Sequence, residues 1–167
     1  GSPIEFGEEA AVAKSYKVVI LGSGSGGISA AARLRKTLGA SEIAVVDPAK
    51  THYYQPMWTL VGGGVVGKEV TAKPQASVIP SGVDWIQESV VRVDPSQNTV
   101  QLTGGVSLKY DFLLVATGLR LVWESISGLA GNLGKNGICS IYEYEQVDAA
   151  TRMIQDFKGG TAIFIMP

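Results

Sequence analysis

The sequence holds one cysteine, Cys139, and one histidine, His52. A lone thiol cannot close a disulfide within the chain, so the framework of a small secreted, disulfide-stapled scaffold is excluded. No metal site is expected. Charge is also scarce and balanced, with 14 Lys and Arg against 15 Asp and Glu, a formal net charge of −1 and 17% charged residues. No basic excess recommends nucleic acid or an anionic membrane as a partner. No apolar run approaches the roughly 18 residues of a membrane span. What is plentiful is apolar residues, at 46%, and glycine, at 21 residues. That composition describes a core-rich chain with many tight turns rather than a disordered one. A length of 167 residues suits one domain, or one domain and a piece of another.

The N-terminal Gly1-Ser2-Pro3-Ile4-Glu5-Phe6 has no initiator Met and reads as an expression-vector scar. Residues 1–15 are therefore expected to be a tag remnant and flexible N-terminus, and a native targeting peptide is not thereby excluded. Residues 16–21 (YKVVIL) form an apolar, β-branched run of the kind buried on both faces of a parallel sheet. Residues 27–38 (GISAAARLRKTL) carry the small residues Ala30, Ala31 and Ala32, then Leu34 and Leu38 at helical spacing, and Gly39 is a natural stop. Residues 42–46 (EIAVV) predict a second buried strand that ends at Asp47. Together these segments make a βαβ unit.

Farther on, residues 83–86 and 89–93 read as short strands, followed by the turn cluster 94–98 (DPSQN). Residues 99–102 and 107–110, divided by Gly104-Gly105, predict a β-meander, and residues 112–116 (FLLVA) return to the buried-strand pattern. Residues 144–157 carry Val147, Ala150, Met153, Ile154 and Phe157 on one helical face, and residues 161–166 predict a final strand. Because a domain rarely stops on such a strand, the chain is expected to be truncated.

Between the first strand and its helix lies GSGSGG, residues 22–27, a G-x-G-x-x-G pattern. Gly22 permits the tight turn, Gly24 lets backbone approach a pyrophosphate, and Gly27 allows close helix–strand packing. The helix N-terminus adds free N–H donors and a positive dipole end. Asp47, at the end of the second strand, is spaced to accept from ribose hydroxyls. It would repel a 2′-phosphate, and no Arg follows it, so NADP is disfavoured.

The segment YDFLLVATG, residues 110–118, resembles the second FAD fingerprint of two-dinucleotide-binding-domain flavoproteins, a strand running into Ala116-Thr117-Gly118. That resemblance implies a chain that returns to the cofactor, with Thr117 and Gly118 passing close to it, and makes FAD the expected cofactor. HYYQPMWTLVGGG (residues 52–64) and ASVIPSGVDWI (residues 76–86) are similar to the eukaryotic branch of sulfide:quinone oxidoreductase. The likeness runs from about Tyr16 to Pro167.

The resemblance implies a Rossmann-like α/β domain with a parallel sheet and a β-meander over residues 16–135. Residues 136–167 would be a linker helix and the first strand of a second, truncated dinucleotide-binding-like domain. It places Ser25 and Gly26 at the pyrophosphate, Asp47 at the adenosine ribose, Gln55 near the flavin side and Val90 at the adenine. Tyr53, Tyr54 and Trp58 are expected to fill core. His52 is expected to be a hydrogen-bonded structural residue and Cys139 a buried free thiol.

In the resembled family sulfide attacks a cysteine disulfide beside FAD, a persulfide forms, and electrons pass through the flavin to ubiquinone. Thiol–disulfide exchange needs two sulfurs in bonding reach, and this chain has one. The expectation is thus the FAD-binding part of a larger enzyme, inactive by itself. The resemblance further implies a mitochondrial protein associated with the inner membrane through other regions, passing sulfane sulfur to glutathione or sulfite. Two other readings stay open: a type II NADH:quinone oxidoreductase-like flavoenzyme, which shares both FAD fingerprints, and a non-catalytic FAD- or nucleotide-binding module.

Overall fold

Residues 12–165 are described by the structure, a computed structural model. Strand β1 (Val12–Leu21) leads through the glycine turn into helix α1 (Ser25–Leu38) and strand β2 (Ile43–Val46). β1 and β2 run parallel, with Val18 opposite Ile43 and Leu21 opposite Val46. Their β-branched residues are buried on both faces. Val18, Ile20, Ile43 and Val45 meet Ala31 of α1 on one face, with Leu34 and Leu38 at the rim of that cluster. Val19, Leu21, Ala44 and Val46 face the other side, against Leu108 and Tyr110. Each such aliphatic side chain contributes about 1.5–3 kcal/mol by leaving water. Gly39, at φ +86°, ends the helix.

The sheet is completed by β5 (Asp84–Ile86), β6 (Val90–Asp94), β7 (Thr99–Leu102) and β8 (Ser107–Val115). Its order is β5-β2-β1-β8-β7-β6. The first four strands are parallel, and β8, β7 and β6 form an antiparallel meander. β7 pairs with β8 only as far as Lys109, so the remainder of β8 is bonded to β1 alone among the described strands. A two-stranded sheet joins β3 (Thr51–Tyr53) and β4 (Ala72–Pro74). At the start of the parallel strands, Asp84 accepts from Lys14 Nζ at 2.6 Å and from Tyr16 O–H at 2.5 Å. These two donors hold the Asp84 carboxyl below the usual carboxylate range. Burial, and then the bond to Asp84, push the Tyr16 phenol up.

The chain divides into two compact units, residues 12–52 with 73–119, and residues 53–72 with 120–165. This division cuts across the contiguous 16–135 domain expected from sequence, because residues 53–72 form a core of their own kind. Helix α2 (Trp58–Gly62) brings Trp58 and Val61 onto Val147 of helix α3 (Val147–Asp156). Trp58 Nε1 donates to Thr71 Oγ1 at 3.0 Å, Thr151 Oγ1 donates to the Val61 carbonyl at 2.7 Å, and Lys68 pairs with Asp148 at 2.8 Å. The Tyr53 and Tyr144 rings lie 4.5 Å apart. Trp58 is core as expected, whereas Tyr53 and Tyr54 remain 40% and 46% exposed. Among the described residues no helix is long and apolar enough to cross a membrane.

Four expectations are corrected. β1 starts at Val12, inside the segment expected to be flexible, because Ser107–Lys109 of β8 offers Val12–Ser15 a pairing edge; residues 1–11 lie outside the described residues. The two strands expected at 107–110 and 112–116 are one strand. Asp111 does not interrupt it, since its carboxylate pairs with Lys17 of β1 at 2.9 Å. The expected helix 144–157 is shorter, and of the face expected to be apolar Val147 and Ala150 are buried while Ile154 and Phe157 are about half exposed. Residues 161–165 form no strand and lie exposed, for no described strand offers them a ladder; Met166 and Pro167 lie outside the described residues.

Candidate dinucleotide-binding site

The turn after β1 is held by backbone. Gly22 N–H donates to the Val46 carbonyl at 2.9 Å, and Ala116 N–H donates to the Leu21 carbonyl at 2.8 Å. Gly22 sits at φ +96°, and a Cβ there would collide with the Ala116 carbonyl. Gly27 is enclosed in the same way: its Cβ would overlap the Gly22 carbonyl oxygen and lie 3.4 Å from Ile20 Cγ2. Gly24 differs, since nothing lies within 4 Å of a Cβ built on it, and Gly26 meets only Ala116 Cβ at 3.9 Å. Two glycines of the motif thus serve packing, and two line open space.

Gly24 is the N-cap of α1, with no side chain bonding the first N–H groups. Gly24, Ser25 and Gly26 are exposed. An uncapped helix start behind exposed glycines offers an anion unsatisfied donors and the positive dipole end.

Asp47 closes the loop from the end of β2. Its Oδ2 accepts from Ser23 N–H at 2.7 Å and Ser23 O–H at 2.8 Å, and its Oδ1 accepts from Ala49 N–H at 2.8 Å. A carboxylate has about four acceptor positions, so Oδ1 retains capacity for a further donor. Trp85 Nε1 donates to the Asp47 carbonyl at 3.0 Å, fixing the strand end. A cleft of about 240 Å³ is lined by Gly22, Asp47, Pro48, Glu88, Val90 and Thr117 among others. Glu88 points its Oε2 to Gly104 N–H at 2.6 Å, which leaves Asp47 as the carboxylate bound to the turn itself.

The model of the family described as pyridine nucleotide-disulphide oxidoreductase matches residues 16–156. The chain belongs to that family. It is 42% identical over 153 residues, 90% of the chain, to the mitochondrial sulfide:quinone oxidoreductase of Dictyostelium discoideum. It is 39% identical over 152 residues, 91% of the chain, to the mitochondrial sulfide:quinone oxidoreductase of Mus musculus. It covers 34% of each of those two proteins. Among solved structures, the sulfide:quinone oxidoreductase of Aquifex aeolicus superposes with a TM-score of 0.68 at 28% identity, over 86% of this chain and 32% of that one.

For a pyridine nucleotide-disulphide oxidoreductase chain, the residues named from sequence fall into four groups. Gly22, Asp47, Val90 and Thr117 share the cleft, while Gly24, Ser25, Gly26 and Gly27 belong to the turn and helix start beside it. Gly118, at φ +72°, is exposed just past β8. Gln55 is not among the cleft residues; it is exposed in the turn Gln55–Met57 of the other unit. Sequence reasoning missed Ser23 and Gln75. Both are buried, and Gln75 Nε2 donates to the Ser23 carbonyl at 3.0 Å. The sole local signal was Ser23 standing between two glycines of the motif.

His52 and Cys139 depart from expectation. His52 is 7% exposed, as a structural residue should be, yet its ring makes no hydrogen bond among the described residues. Cys139 is exposed, not buried, because it follows the tight Lys135–Ile138 bridge in a loop. Partial desolvation still pushes its thiol up.

Proposed function

We propose that this chain is the FAD-binding part of a mitochondrial-type sulfide:quinone oxidoreductase. The observation that carries the reading is the open, uncapped start of α1 at Gly24, Ser25 and Gly26, set beside an Asp47 anchored at the neighbouring strand end. The donor set fits a pyrophosphate and a ribose: N–H groups and a helix dipole for the anion, a carboxylate for the hydroxyls. Bound FAD would supply a two-electron acceptor between sulfide and ubiquinone.

The chain's own residues bind and orient. Ser25 and Gly26 hold the pyrophosphate through backbone N–H groups, and Asp47 accepts from the adenosine ribose. Val90 meets the adenine through its backbone. Thr117 and Gly118 bring the end of β8 close without a large side chain. Gln55, with one acceptor and two donors on its amide, is assigned to the flavin side. The two sulfurs that sulfide oxidation needs are assigned to the part of the relatives' length that this chain does not cover, as is membrane contact. The full protein would act at the mitochondrial inner membrane and deliver sulfane sulfur to an acceptor such as glutathione or sulfite.

The test has two arms. The chain, titrated with FAD, should quench flavin fluorescence, with ADP competing; absence of both effects overturns the site. In the full-length protein, sulfide added without oxygen should bleach the flavin absorbance, and the 167-residue chain should reduce no ubiquinone. Bleaching by NADH and not by sulfide overturns the substrate assignment.

A further inference from the structure

Gln75 opens the turn Gln75–Ser77 after β4 and is 2% exposed. Its backbone N–H donates to the Lys50 carbonyl at 2.8 Å, which fixes its position beside the strand end that carries Asp47. Its side chain then reaches Ser23, 52 positions earlier, where Nε2 donates to the backbone carbonyl at 3.0 Å. With Asp47 taking Ser23 N–H and O–H, three polar groups of this one residue are held by two side chains from other segments.

Such restraint has a physical purpose. Ser23 is flanked by Gly22 and Gly24, and glycines turn between backbone conformations at little cost. The Ser23 carbonyl and the Gly24 N–H belong to one planar peptide, so holding the carbonyl fixes the direction of the N–H that opens α1. No local side chain does this, because α1 has no side-chain cap. A buried amide carrying no charge can hold the carbonyl without placing a cation or an anion beside an incoming phosphate.

We propose that Gln75 is a positioning residue of the dinucleotide-binding turn, whose amide keeps the Ser23–Gly24 peptide aimed so that the start of α1 receives a diphosphate. This inference rests on the reading of that turn as a dinucleotide site. Gln75 lies outside the cleft residues and acts through Ser23.

The probe is ADP, titrated calorimetrically into the wild type and into Gln75→Met and Gln75→Glu, with urea unfolding of each protein measured without nucleotide. Gln75→Met keeps the volume and removes the donor; its ADP affinity should fall about tenfold, in line with loss of a hydrogen bond in a buried setting. Gln75→Glu should depend on pH. When protonated, its O–H donates to the Ser23 carbonyl and affinity relative to wild type is restored; when ionised, it repels that carbonyl and affinity falls. A role in stability alone would shift the urea midpoints and leave the affinity of the folded protein, and its ratio to wild type across pH, unchanged. That result overturns the inference, as does wild-type affinity in both folded variants. Failure of the wild type to bind ADP overturns the dinucleotide reading itself, and so is told apart from failure of Gln75 alone.

Discussion

Replacing Gly27 by Ala sets two opposed effects against each other. Alanine is preferred over glycine inside a helix by about 0.8–1 kcal/mol. Against that stands the new methyl group, which would overlap the Gly22 carbonyl oxygen, lie 3.0 Å from the Gly22 carbonyl carbon and 3.4 Å from Ile20 Cγ2. A flexible side chain could rotate aside, but here the obstacle is backbone, held by the bond from Gly22 N–H to Val46. Relief therefore requires α1 to lift from β1, which opens the packing of Ala31 on Val18 and Ile20. Overpacking costs about 1–3 kcal/mol, and a backbone obstacle places this case at the top of that range. Subtracting the helix preference leaves a net loss of about 2 kcal/mol, equivalent to roughly 4–8 °C in Tm.

Urea unfolding followed by circular dichroism, without nucleotide, reads that difference directly. Gly26→Ala is the matched control, because its methyl group meets only Ala116 Cβ at 3.9 Å. With the same helix preference and no obstacle against it, it should raise the midpoint slightly or leave it unchanged, and it should weaken ADP binding, since its methyl stands on the open side of the turn. A wild-type midpoint for Gly27→Ala, or an equal loss in Gly26→Ala, would refute the claim that contact with backbone requires glycine at 27.

Two further outcomes follow from the packing. Asp84 is held below its ordinary pKa by Lys14 first and Tyr16 second, so its contribution is present above about pH 4 and is lost as pH falls through the lower folded value. With the side chain 41% exposed, Asp84→Asn should cost only about 0.5 kcal/mol at neutral pH and flatten the acid side of the stability–pH curve; an unchanged acid limb in urea titrations speaks against the pairing. Trp58→Phe removes the donor to Thr71 and part of a buried ring, and should cost about 1–3 kcal/mol by calorimetry. A loss under about 0.5 kcal/mol would mean that the indole does not anchor α2.

The βαβ unit was legible because its signals are local. Apolar β-branched runs, small residues at helical spacing and the glycines at 22, 24 and 27 each state their own conformation. Asp47 was legible by its place at a strand end. Pairing was not: nothing in DWI says that it runs parallel to β2, and Asp111 looks like a break until Lys17 is seen across from it. Residues 161–165 have the composition of a core strand, but a strand exists through its neighbours. Gln75 was invisible for the same reason, as its partner is 52 residues away and an isolated glutamine has no pattern. The aromatics at 53, 54 and 58 were expected to fill core, and in the structure Trp58 does so, within the unit that also holds α3.

The second half of β8 has one more consequence. Ala116 N–H turns toward β1, so by alternation Leu113 and Val115 turn theirs away, to a side where no described strand pairs. In heavy water, the inner amides of this segment exchange only when β1 and β8 separate, while the outer ones exchange at the pace of exposed peptide groups. A single strand at the middle of the sheet therefore keeps two clocks, alternating residue by residue.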